Sequence, residues 1–243
     1  MKENDYLCGM NKIDLNVNGM SYRCYGDEQP KVVLIQMLDE DEYDSFEEEV
    51  NRISIALEGH PIAMIGVEVN DWMADLSPWA DKMLRIKDGV AKADVTLSKL
   101  TDDLFPVLRQ RFGNVPLILG GYSLAGMFAL WTARETSQIS GVAAMSPSLW
   151  VEGWEPFAES HEIHAQVAYL SLGDREERAR NKHMARVGDG VRQEHLRLTQ
   201  VLGPDNTTLV LNKGGHFDDP LGRTIDGFSW TASRLLSILS AEE

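Results

Sequence analysis

The fold is decided by residues 116–134, which read PLILGGYSLAGMFALWTAR. A short apolar run leads into two glycines and a second apolar run follows, which predicts a strand, a tight turn and a helix. Ser123 lies at the turn, and the positions two residues to either side of it hold Gly121 and Ala125. Larger side chains at those positions of a strained strand-to-helix turn would collide. The pattern therefore predicts a serine presented at the start of a helix.

Further short apolar runs predict a mostly parallel sheet. They lack polar alternation, which is typical of strands buried on both faces. Near the N-terminus, alternating segments flank Asn18-Gly19, a dipeptide that favours a two-residue hairpin turn. The hairpin segments are 13–17 and 20–25, and the apolar runs are 32–35, 62–69, 117–119, 142–145, 167–172 and 208–211.

Helical patterns separate the apolar runs. The segment 176–202 is predicted as one long charged helix that contains His183 and His195. With no repeat or linker, residues 1–243 are predicted to form a single α/β domain: about eight strands, an N-terminal antiparallel hairpin and helices on both faces. Its chemistry is expected beyond the carboxyl ends of the strands. The apolar helix positions are Phe46, Val50, Ile53, Leu57, Leu97, Leu100, Leu104, Leu108, Val187, Val191, Leu196, Leu198, Phe228, Leu235, Leu236 and Leu239.

Composition and charge exclude several classes of protein. The 243 residues carry a net charge of −15, which argues against binding to nucleic acid or to an anionic membrane surface. Two cysteines, Cys8 and Cys24, make neither a disulfide framework nor a zinc cluster. The start MKENDY lacks the apolar core of a secretory signal, and no stretch has the length of a membrane span. We therefore expect a cytoplasmic protein.

Much of the negative charge lies in residues 39–49, which read DEDEYDSFEEE. We interpret this segment as a solvated helix face with an acidic first turn, which suits the helix dipole. A cation or metal site is the alternative.

A serine that acts as a nucleophile needs a base, and His216 is the candidate. It follows two glycines directly after the last apolar run, and no other histidine downstream of Ser123 lies in such a loop. The acid that would orient it lies after the run 167–172. Three acids follow that run. In folds of this kind the acid commonly lies three residues after the strand-ending glycine, which favours Glu176, with Asp174 as the runner-up and Glu177 third. The chain order serine, acid, histidine is typical of one large hydrolase class.

Five stretches carry a resemblance to a known family: GYSLAG at 121–126, NDWMADLSPW at 70–79, SPSLW at 146–150, LSLGDRE at 170–176 and GGH at 214–216. The chain resembles the α/β-hydrolase superfamily, and more narrowly its esterase D and enterochelin-esterase-like branch. The resemblance covers most of the chain, from about residue 31 onwards. It implies a serine esterase with a nucleophile elbow and a catalytic triad of Ser123, His216 and Glu176.

The implied mechanism is attack by Ser123 on an ester, with two backbone N–H groups holding the oxyanion. One donor is Leu124, which directly follows the serine. Residues 36–40 occupy the second oxyanion loop, where many hydrolases have His-Gly or Asp-Gly. We place the second donor at Leu38, with Met37 as the alternative.

Aromatic residues in strand-end loops are candidates for the wall of a substrate pocket. They are Trp72, Trp79, Tyr122 and Trp150. The stretch HEIH at 161–164 lacks the spacing of a metal-binding helix, so we expect no metal and no cofactor. The expected partner is a small-molecule ester, and the oligomeric state stays open. Thioester hydrolysis, acyl transfer, cleavage of a siderophore-like lactone and a non-catalytic binding role are the alternatives on the same fold.

Overall fold

The computed structural model describes residues 11–17 and 20–242, which form an eight-stranded sheet with helices on both faces. Strand order across the sheet is β1-β2-β4-β3-β5-β6-β7-β8. The strands are β1 Asn11–Val17, β2 Met20–Gly26, β3 Val32–Leu38, β4 Ile62–Glu68, β5 Leu117–Tyr122, β6 Gly141–Met145, β7 Val167–Gly173 and β8 Thr207–Asn212.

The sheet is parallel from β4 to β8 and antiparallel at its N-terminal edge. Strand β1 pairs antiparallel with β2, and β2 pairs antiparallel with β4. The predicted mostly parallel sheet of eight strands with an N-terminal antiparallel hairpin is therefore confirmed. The predicted turn at Asn18-Gly19 lies outside the described residues.

The helices fill the connections between the parallel strands. Their bounds are α1 Glu40–Ala56, α2 Trp72–Asp75, α3 Ala93–Ser98, α4 Phe105–Phe112, α5 Leu124–Glu135, α6 Trp154–Ser160, α7 Val187–Leu202 and α8 Pro220–Glu242, with a π-helical stretch at Lys99–Leu104 and 3₁₀ turns at Glu176–Arg178 and Met184–Arg186. None of the helices within residues 11–17 and 20–242 combines the length and the apolar character needed to cross a bilayer.

Two apolar cores lie on opposite faces of the sheet. Helices α1 and α8 cover one face, where Phe46, Val50 and Phe228 are fully buried. Helices α4, α5 and α7 contribute to the other core, and α5 is buried along almost its whole length. Because both faces are covered, β3 is buried at all seven positions, as expected for a central parallel strand.

The charged segment 176–202 differs from its prediction. The α-helix begins only at Val187, so His183 precedes it. Leu196, predicted to be apolar core, is 56% exposed. The buried face instead carries Val191, Glu194 and Leu198. Leu196 is two residues from both Glu194 and Leu198, which is about half a turn of the helix, so its side chain points away from the buried face.

Glu194 is paired in the interior. Its carboxylate accepts from Arg134 Nη2 at 2.5 Å and from Arg197 Nη1 at 2.8 Å, and the Arg134 and Glu194 side chains are almost completely buried. This pair joins α5 to α7. Removing Arg134 would leave the buried Glu194 carboxylate with Arg197 as its ionic partner, and removing Glu194 would leave the buried Arg134 guanidinium bonded to backbone carbonyls.

The acidic segment forms the start of α1. Asp39 caps the helix in a capping box: its side chain accepts from Glu42 N–H at 2.8 Å, while Glu42 Oε2 accepts from Asp39 N–H at 3.2 Å. The acidic first turn is as predicted. The prediction that the acidic residues form a solvated face does not hold for Glu49, whose exposure is only 4%.

Candidate active site

The nucleophile candidate lies on a strained turn between β5 and α5. Ser123 has φ 57° and ψ −115°, a backbone conformation that few residues other than glycine adopt. A Cβ atom at Gly121 would lie 2.4 Å from the Ala125 Cβ. Side chains larger than those of Gly121 and Ala125 would therefore clash with each other across the turn.

His216 connects Ser123 to a carboxylate. Its Nε2 lies 2.9 Å from Ser123 Oγ, and its Nδ1 lies 2.8 Å from Glu176 Oε2. An ionised carboxylate only accepts hydrogen bonds, so the proton of the neutral ring lies on Nδ1. Nε2 is then free to accept the hydroxyl proton of Ser123.

The carboxylate in contact with His216 belongs to Glu176 and not to Asp174. Burial opposes ionisation of Glu176, but hydrogen bonds from His216, Ser146 and the Gly173 N–H outweigh it and lower the pKa of the carboxyl group. Asp174 instead accepts from the Gly214 N–H at 2.9 Å. It therefore supports the turn before His216.

These three side chains open into a cavity of about 640 Å³. Of the predicted pocket residues, Trp72, Tyr122 and Trp150 line it. Trp79 is not among its lining residues: its ring packs against Phe157 at a centroid distance of 5.5 Å and lies close to Gly153. The remaining lining is Asp39, Glu42, Ser45, Glu49, Met73, Leu84, Ser123, Leu124, Ser148, Glu176, Ala179, Met184, Val187, His216, Phe217, Pro220, Leu221 and Thr224.

The family is decided by comparison with known sequences. A family model described as "Putative esterase" matches residues 28–207, well over half of the chain. The chain belongs to this esterase family. Among curated proteins, none matches the esterase significantly.

Solved structures share the fold of the esterase at low sequence identity. The siderophore hydrolase EstA from Aspergillus nidulans is 16% identical with a TM-score of 0.71, and the match covers 96% of this chain and 97% of that one. An IroE-like serine hydrolase from Shewanella oneidensis is 14% identical with a TM-score of 0.69, covering 90% and 79%. The enterochelin esterase from Shigella flexneri is 13% identical with a TM-score of 0.67, covering 95% and 60%. These similarities show an α/β-hydrolase fold.

Arg223 of the esterase is a site residue that the sequence reasoning missed. It is fully buried, and its Nη1 donates to Glu176 Oε1 at 3.1 Å, to Ser146 Oγ at 3.1 Å and to Tyr122 OH at 2.9 Å. Its Nη2 donates to the carbonyl oxygen of Gly215. Arg223 therefore fixes the Glu176 carboxylate and the loop before His216 together. An arginine among the mostly apolar buried residues of the last helix was the available signal.

Ser148 is a second residue whose position the sequence did not reveal. Its Oγ lies 3.2 Å from Ser123 Oγ, and its backbone N–H donates to the Ser123 carbonyl at 3.0 Å. Because the Ser123 hydroxyl proton is directed to His216, Ser148 is the donor between the two hydroxyls. It therefore supplies a hydrogen bond to the oxygen that would attack.

The strand geometry contradicts Leu38 as an oxyanion donor. The Leu38 carbonyl accepts from the Val69 N–H on the β4 side, and the N–H of the same strand residue points the same way, away from Ser123. The backbone N–H of Met37 points towards β5. However, the β3–β5 ladder extends to the Gln36–Gly120 pair, so the Met37 N–H is already used in strand pairing and is not available to an oxyanion. The next N–H on the β5 side belongs to Asp39, which lines the cavity.

Proposed function

We propose that the esterase hydrolyses carboxylic esters of small molecules through an acyl-enzyme on Ser123. The observation that carries the proposal is the continuous chain of hydrogen bonds from Ser123 Oγ through both nitrogens of His216 to Glu176. Each contact is short enough for proton transfer without rearrangement. The cavity beside Ser123 has the size of a small-molecule site.

The proposed reaction has two halves. His216 Nε2 takes the Ser123 proton as Oγ attacks the ester carbonyl, and then gives that proton to the departing alcohol oxygen. The acyl group is left on Ser123. A water molecule, deprotonated by His216, attacks the acyl carbon, and return of the proton to Oγ releases the carboxylic acid. Glu176 stabilises the imidazolium that forms in both halves.

Two backbone donors are proposed for the oxyanion. Leu124 N–H lies in the first turn of α5, where amides have no partner within the helix, and Leu124 lines the cavity. Asp39 N–H is the second, and it currently donates to Glu42 Oε2 at the long distance of 3.2 Å. We infer that the developing oxyanion replaces this carboxylate as the acceptor.

The test is labelling with an alkyl fluorophosphonate, which forms a stable adduct with activated serines. Intact mass and peptide mapping should locate one adduct on Ser123, and Ser123→Ala should abolish it. Ser148→Ala is the matched control, because it removes the neighbouring hydroxyl and should keep the adduct. Absence of any adduct on folded protein would overturn the proposal in favour of a non-catalytic role.

A further inference from the structure

Resting on the proposed esterase function, we propose that the substrate is an ester bearing a positively charged ammonium group, which binds against α1. The cavity beside Ser123 has one acidic wall, and this wall is formed by a single helix. Asp39, Glu42, Ser45 and Glu49 all line it. Positions 42, 45 and 49 share one face of α1, whereas Phe46, Val50 and Ile53 face the apolar core.

The deepest carboxyl group of this wall lacks an ionic partner. Glu49 Oε2 accepts from Gln36 Nε2 at 3.3 Å, while its Oε1 has no hydrogen-bond partner in the part of the chain that the structure describes. The nearby Arg52 pairs with Glu48 on the solvent side at 3.8 Å. Burial raises the pKa of Glu49 to about 8. An ionised carboxyl group buried without a cation destabilises the fold, and an ammonium group bound in the cavity would offset that cost.

The rest of the lining suits a cation with an apolar body. Among the described residues that line the cavity there is no lysine or arginine, and His216 and Glu176 are already paired with each other. Trp72 and Trp150 supply aromatic rings, whose faces attract ammonium groups. An anionic ester would meet the Glu49 carboxylate, which has no ionic partner among the described residues. Charge therefore selects cationic over neutral esters, and neutral over anionic ones.

The position of the acidic residues also sets a distance. Glu42 and Glu49 are seven residues apart, so the wall extends about 10 Å along the helix axis. Asp39, at the start of α1, is next to the end of β3, while Glu49 lies nearly three turns further on. An ammonium group separated from the ester by a chain of several bonds can therefore reach the wall while the carbonyl lies at Ser123.

The experiment compares kcat/KM for esters that differ only in charge. One series has p-nitrophenol as leaving group: 6-aminohexanoate, the neutral heptanoate and a monoester of heptanedioate. A second series places the charge on the alcohol: butyrylcholine against 3,3-dimethylbutyl butyrate. Assays at pH 8.5 keep Glu49 largely ionised. We expect the cationic ester to be preferred at least tenfold over its neutral isostere in one of the two series, and the anionic ester to react slowest.

The variant Glu49→Gln should reduce this cationic preference about tenfold. The matched control is Glu48→Gln, which removes the same charge one residue away, from a side chain that is 65% exposed, and should leave the preference as it is. Equal rates for cationic and neutral esters in both series, or equal effects of the two variants, would overturn the inference. If Ser123 were still labelled and neutral esters still hydrolysed, the proposed esterase function would stand without the preference for cations. If neither labelling nor hydrolysis were seen, both the esterase function and the preference for cations would be overturned.

Discussion

Replacing Glu49 by glutamine should change how stability depends on pH, because the Glu49 carboxyl group is buried without an ionic partner among the described residues. The pKa of the carboxyl rises from 4.5 to about 8 on folding, chiefly through burial. A raised carboxyl pKa means that the folded state binds more protons between these values, so stability falls as pH rises through this window. At about 1.4 kcal/mol per pKa unit, keeping the proton on this buried group destabilises the folded state by about 3 kcal/mol at pH 7 and by under about 1 kcal/mol at pH 5.

Glutamine keeps the shape of the side chain and removes its titration. The difference in free energy of unfolding, Glu49→Gln minus wild type, should therefore increase by about 2.5 kcal/mol between pH 5 and pH 7. Urea unfolding followed by circular dichroism at several pH values measures it. Glu48→Gln should show a difference that is flat to within about 0.5 kcal/mol. A flat difference for Glu49→Gln as well would refute the argument that this carboxyl is buried and unpaired.

Three further predictions concern the triad, the second serine and the interior ion pair. Glu176→Gln should lower kcat/KM for ester hydrolysis about 10³- to 10⁴-fold, since an amide cannot stabilise the imidazolium, whereas Asp174→Asn should change it less than about threefold; comparable losses would contradict the assignment. Ser148→Ala should lower kcat about 5- to 30-fold with little change in KM, because one hydrogen bond to the attacking oxygen is lost; an unchanged kcat would contradict this role. Arg134→Met should reduce the free energy of unfolding by about 3 kcal/mol in urea titrations because Glu194 stays buried, and a loss under about 1 kcal/mol would count against it.

Much of the fold was predictable because it depends on local pattern. Apolar runs without alternation indicated the parallel strands, and the alternating segments before and after position 18 indicated the antiparallel edge. The start of α7 was not predictable in the same way. Residues 176–186 have a helix-like composition, but the Glu176 side chain is held by His216, Ser146 and Gly173, and tertiary contacts of this kind override propensity.

The residues of the candidate site could be predicted where the prediction needs only their position after a strand. They could not be predicted where it needs the direction of a backbone N–H group or of a side chain. Ser123, Glu176 and His216 follow β5, β7 and β8, so parallel topology alone brings them to one edge. The direction of the Leu38 N–H depends on strand register, which a single sequence does not show. Nor does a sequence show that Arg223, on the last helix, reaches the triad carboxylate.

The location of His216 makes the proposed active site easier to open than the rest of the fold. Ser123 follows β5, which has partners on both sides. His216 follows β8, which among the described strands pairs with β7 alone and forms an edge of the sheet. Edge segments open at lower free energy than central ones. Fraying of β8 would therefore separate His216 from Ser123, the proposed base and nucleophile, while the rest of the sheet stays formed. The hydrogen bonds from Arg223 to the Gly215 carbonyl and from Tyr122 to the His216 carbonyl oppose that opening. Because Arg223 and Tyr122 are buried, the loop that carries His216 should open only when these interior contacts also break.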